Sequence, residues 1–68
     1  MMEAREVLTQ LGCDRHSYLA DGVYCGIDLA GQIWLITRRD HMWHQVALDD
    51  VTLSALFNYV KAQMKGIY

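Results

Sequence analysis

Between Val23 and Leu48 apolar residues recur at the period of a β-strand, and they do so on both faces. Read as three short strands, residues 23–48 place Val23, Cys25, Ile27, Ile33, Leu35, Val46 and Leu48 on one side. Tyr24, Trp34, Ile36 and Trp43 fall on the other, with Arg38 among them. A sheet apolar on two faces needs cover on both, and a chain of 68 residues has helix enough for one. The aliphatic set has the make-up of a core. The aromatic set and its arginine are of the types that dominate protein–protein hot spots. The sequence therefore predicts that two helices pack on the Ile33/Leu35/Val46 face, leaving Tyr24, Trp34, Ile36, Arg38 and Trp43 to bind a partner. One helix on each face would leave no apolar surface for binding.

The strand register follows from the turns. Asp28-Leu29-Ala30-Gly31-Gln32 suits a three-residue hairpin loop, with Asp opening the turn and Gly31 accepting a left-handed conformation. That loop pairs Asp28 with Gln32 and aligns Val23, Cys25 and Ile27 with Thr37, Leu35 and Ile33. A two-residue Ala-Gly loop would mix the apolar and polar sets. A two-residue turn at Asp40-His41 then pairs Leu35 with Val46 and Ile33 with Leu48. On the other face the Asp28–Gln32 loop sets Trp34 opposite Gly26, where an aromatic can cover the missing side chain. The Asp40-His41 turn brings Arg38 opposite Trp43, in reach of a cation–π contact.

Helices flank this segment. Ala4, Val7, Leu8 and Leu11 follow the i, i+3, i+4, i+7 spacing of one helical face, and Gly12 sits at the C-cap, so a helix is predicted from Met2 to Leu11. Asp49-Asp50 supplies an N-cap to a second helix reaching Lys65, with Gly66 as terminator. Leu53, Leu56, Phe57, Val60 and Met64 form one stripe of that helix. Val51, Ala55, Tyr59 and Ala62 form a second, nearly opposite. Residues 13–22 read as loop, in which Tyr18-Leu19 could begin an extra strand turning at Asp21-Gly22. The predicted fold is α+β: a three-stranded antiparallel β-meander flanked by an N-terminal and a C-terminal helix (αβββα), one domain over residues 1–68.

Size and composition point to self-association. The chain is 53% hydrophobic and near the lower limit for folding without disulfides, metals or partners. A homodimer is expected, with Val51, Ala55, Tyr59 and Ala62 or the Trp34/Trp43 face at the contact. A formal charge of −2 removes the broad electrostatic attraction behind most nucleic-acid binding. No secretory n-region and h-region is visible in Met1–Glu6, and no apolar run is long enough for a membrane span. Two cysteines make no disulfide framework, so a cytoplasmic protein with reduced thiols is expected.

Catalytic and metal chemistry find little support. Cys13-x-x-His16 and His41-x-x-His44 have zinc-like spacing. Three residues apart on a strand means opposite faces, however, so His41 and His44 diverge and no metal or other cofactor is expected. Cys25 falls on an apolar face, where a free thiol is usually a small hydrophobe, and neither cysteine carries a nucleophile signature. Asp49-Asp50 is explained by helix capping, and Gly22, Gly26 and Gly31 fit no phosphate-binding spacing.

The function expected is a non-enzymatic protein-binding module, a small inhibitor or regulator of the kind carried by phages and other mobile elements. The alternative is a small nucleic-acid-binding regulator or RNA-directed toxin. The αβββα order is also the outline of double-stranded-RNA-binding modules. Arg15, Arg38, Arg39 and His41 could contact phosphate, and Tyr24, Trp34 and Trp43 could stack bases. The acidic balance and the lack of a basic helix N-terminus stand against it.

Overall fold

Three tight reversals fold the chain onto itself. Asp21-Gly22 and Asp40-His41 each place two consecutive residues at positive φ (53° and 78°, 53° and 64°), the two-residue turn that matches the twist of a hairpin. At the third, Gly31 takes φ 86° and its N–H donates to the Asp28 carbonyl at 3.0 Å. The Asp28 N–H closes the loop on the Gln32 carbonyl at 3.1 Å, as the three-residue hairpin requires. The computed structural model describes residues 2–64.

The element order is α1 (Ala4–Gln10), β1 (Cys13–Ala20), β2 (Val23–Asp28), β3 (Ile33–Arg39), β4 (Met42–Leu48) and α2 (Asp50–Met64). The four strands form one antiparallel sheet in chain order. The class is α+β, as expected, with one strand more than the three-stranded meander. Residues 13–20, read as loop, are β1, and the turn at Asp21-Gly22 is where the sequence suggested it. Seven of the eight β1 residues are exposed, because this is an edge strand rich in polar side chains and irregular in register near both ends. It has no strict alternation to announce it.

The register of β2, β3 and β4 is the one derived from the turns. Cys25 aligns with Leu35, Gly26 with Trp34, Leu35 with Val46, and Arg38 with Trp43.

α1 is one short amphipathic piece. The Glu3 N–H donates to Glu6 Oε1 at 3.0 Å at its start, and Gly12, at φ 90°, ends it. Val7 and Leu8 are buried and Ala4 and Leu11 partly so, which is the predicted stripe. α2 is capped at its start: Asp49 Oδ1 accepts the Thr52 N–H at 2.7 Å, and the Asp49 carbonyl accepts the Leu53 N–H at 2.9 Å. The expected helix end at Lys65-Gly66 lies outside the described residues.

The core is where the two-helix expectation fails. α1 packs on the aromatic face: Leu8, Ile36, Cys13 and Val7 are buried together, with Tyr24, Trp34 and Trp43 against them. α2 packs on neither face and contains no buried residue. The Val23/Leu35/Val46 face, expected to be the core, is open.

Candidate functional site: the open sheet face and α2

Trp34 and Trp43 show why α1 chose the aromatic face. A buried indole needs an acceptor for its N–H. Trp43 donates to the Met2 carbonyl at 2.8 Å, tying the segment before α1 across the sheet. Trp34 donates to Asp28 Oδ2 at 2.9 Å. Gly26 supplies the second reason. A Cβ there would meet Cys13 Cβ and Sγ at 2.9 Å, so the missing side chain makes room for the start of β1 directly after α1. Trp34 was expected to cover Gly26; Cys13 sits in that space.

The predicted partner-binding residues are thus on one face, as expected, but the face is not bare. Ile36 is 1% exposed, and Tyr24, Trp34 and Trp43 are half-buried beneath α1. Tyr24 meets Trp43 edge-on at 6.1 Å and Tyr18 at 4.9 Å, so the aromatics form a ladder. Arg38 lies at the rim, its guanidinium carbon 6.0 Å from the centre of the Trp43 ring, the expected cation–π pair. What stays accessible here is an open cleft between the start of α1 and Tyr24, Arg38 and Trp43.

The opposite face has the anatomy of an interface. By register it carries Val23, Cys25, Ile27, Ile33, Leu35, Val46 and Leu48 at its centre. Arg15, Ser17, Thr37, Arg39 and His44 stand around them. An apolar centre inside a polar rim is how protein-binding patches are built. Two shallow depressions, of about 310 and 190 Å³, give this face relief: one beside Cys25 and Ile33, the other beside Leu35 and Val46.

α2 adds a second apolar surface. Leu56, Phe57 and Val60 are 43%, 58% and 40% exposed, and Leu53 and Met64 are partly covered. On its other side Val51 and Tyr59 are exposed, as are Ala55 and Ala62. A large apolar residue exposed singly is ordinary, whereas a whole helical stripe beside an open sheet face marks an interaction surface.

Titratable groups are scattered. Cys13 is buried beneath α1, and burial first, then the nearby carboxylate of Asp28, pushes its thiol above the ordinary value. His41 is in a turn, while His44 is on the open face and His16 is aligned with Gly26 on the other. Among the described residues no three His, Cys, Asp or Glu side chains come together as metal ligands would. Asp28 is held below the ordinary carboxylate value, chiefly by the Trp34 N–H and then by the Gln32 N–H. That hydrogen bonding is structural, since it closes the β2–β3 loop. Among the described residues no helix is long and apolar enough to cross a membrane.

Scans of protein-family models, of curated proteins and of solved structures return no match to this chain.

Proposed function

We propose that this chain is a non-enzymatic protein-binding module, a small inhibitor or regulator that acts by contact, and that it binds through the open sheet face and α2. The observation that carries this reading is α2 itself. A 15-residue helix is marginal alone in water, and most helices are held by packing of an apolar face. α2 has the face and fully buries no residue of it in its own chain, only Leu53 and Met64 being partly covered. The aliphatic centre of the sheet makes the same demand. The centre of the surface is apolar and its arginines stand only at the rim, which favours a protein over a nucleic acid. The αβββα outline behind the nucleic-acid alternative also gives way to a four-stranded order.

The test is retention under salt. Immobilised protein should hold its partner when salt is raised to about 0.5 M, since apolar contact is little screened, and Val46→Asp should abolish that capture. Retention on heparin or RNA that salt removes, unaffected by Val46→Asp, would replace this reading with the nucleic-acid one.

A further inference from the structure

We propose that the open face of the sheet is covered by α2 of a second copy of this chain, and reciprocally, so that two chains exchange helices about a two-fold axis. This deepens the protein-binding reading, on which it rests, by naming the occupant.

The first argument is area. The chain exposes 5407 Å², whereas a compact monomer of its mass would expose about 4,400 Å². The surplus of about 1,000 Å² is what each partner buries in a stable interface, typically about 800 Å². The radius of gyration agrees: 13.5 Å, against about 11 Å for a compact chain of this length. Ile27 and Val46 of the open face and Val51, Leu56, Phe57, Tyr59 and Val60 of α2 are among the large apolar residues left exposed.

The second argument is fit. The chain carries both halves of a complementary pair, an apolar sheet face and an apolar helix stripe of Leu53, Leu56, Phe57, Val60 and Met64. α2 is about 22 Å long by its rise per residue, and four strands span about 14 Å between the outer axes, so one helix crosses the sheet. The third argument is the junction. Asp49 alone separates β4 from α2, and its side chain caps the helix, so the direction in which α2 leaves its own sheet is fixed. The last is charge. Arg15 and Arg39 stand on the rim of the open face, which by register holds no carboxylate, while α2 opens with the acidic pair Asp49-Asp50. The Val51/Ala55/Tyr59/Ala62 stripe, which the sequence offered as a dimer contact, lies on the far side of the helix in this arrangement.

The test uses the whole chain. Sedimentation at micromolar concentration should give about twice the 7.8 kDa chain mass, and Val46→Asp should raise the dissociation constant at least about 30-fold. Phe57→Cys places a thiol on the α2 stripe, and Val60→Cys does so again if the first variant dissociates. Oxidising an equal mixture of ¹⁴N- and ¹⁵N-labelled variant should join that thiol to Cys25 in pairs of mixed isotopic mass. Cross-links confined to single chains would overturn the inference, since α2 would then cover its own sheet. A dimer without mixed cross-links would overturn it too, placing the contact elsewhere. A monomer throughout would overturn the second copy as occupant. In that case a solvatochromic dye separates the two readings: binding lost in Val46→Asp keeps the protein-binding surface and assigns it to a foreign partner, and no binding removes the surface as well.

Discussion

Asp28 holds the Trp34 indole N–H on one carboxylate oxygen at 2.9 Å and, on the other, the N–H groups of Ala30 and Gln32 at 2.9 and 3.0 Å. One side chain thereby closes the β2–β3 loop and anchors a core aromatic. These bonds favour the ionised form, so folded Asp28 binds its proton less readily than the unfolded chain does. Its contribution is complete above the ordinary value of 3.8 and is lost as pH falls through the lower folded-state value. Asp49, lowered chiefly by the Thr52 N–H, acts in the same sense. The denaturation midpoint should therefore drop on acidification below that range. Asp28→Asn should flatten part of the drop, and Asp28→Asn with Asp49→Asn more of it. A midpoint that rises on acidification would contradict the assigned hydrogen bonds.

Ile36 and Val46 should behave oppositely. Ile36→Ala empties a site 1% exposed and should cost about 2–5 kcal/mol of folding stability, enough to unfold much of a domain this small. Val46 is 50% exposed, so Val46→Asp should leave folding nearly unchanged when measured dilute enough to keep chains apart. Thermal denaturation followed by tryptophan fluorescence checks both. Equal losses would mean that the Val46 face is packed within the chain.

Gly26→Ala should destabilise by about 1–3 kcal/mol, because the new methyl meets Cys13 Cβ and Sγ at 2.9 Å and the Arg15 carbonyl at 3.2 Å. Cys13 cannot yield easily, being 2% exposed under α1. Urea denaturation of Gly26→Ala beside Gly31→Ala isolates the effect: beyond its chain neighbours no atom lies within 4 Å of a Cβ at Gly31, where only the positive φ is strained.

α2 should gain helicity as protein concentration rises, since its apolar stripe is covered only on association. Far-UV circular dichroism over a dilution series reads this directly. Asp49→Ala removes the side-chain cap on Thr52 and should cost the helix about 0.5–2 kcal/mol, a loss most visible at low concentration. Helicity independent of concentration would show α2 to be self-sufficient.

Much of this architecture was legible in the sequence, since turn chemistry acts over a few residues. Gly31 and the Asp40-His41 pair set the register of β2, β3 and β4, and the register sorted every side chain to its face. Which face would be covered was not legible, because periodicity describes each face and says nothing about what lies over it. The aromatic face looked like a binding surface by residue type. Two signals pointed the other way. Gly26 is a gap in an otherwise filled face, and only Leu11-Gly12 links α1 to β1, which holds the helix close to the sheet. Reading them required β1, and β1 was hidden by its polar, exposed run from Asp14 to Ser17. The open face and α2 were each noticed as apolar, but their joint exposure is a fact of packing.

The sheet pairs each strand with its neighbour in the chain, so its assembly requires only short loops to close. Hairpins of this kind form on the order of microseconds. α1 is different, because the Met2 carbonyl finds the Trp43 indole 41 residues away, and Leu8 finds Ile36 on β3. Contacts so distant in sequence form more slowly than local ones. α1 precedes the strands in the chain and yet must wait for β3, and for Trp43 of β4, before its docking site is complete. Until then both faces of the nascent sheet stand open to water, and that interval is when misassociation threatens most.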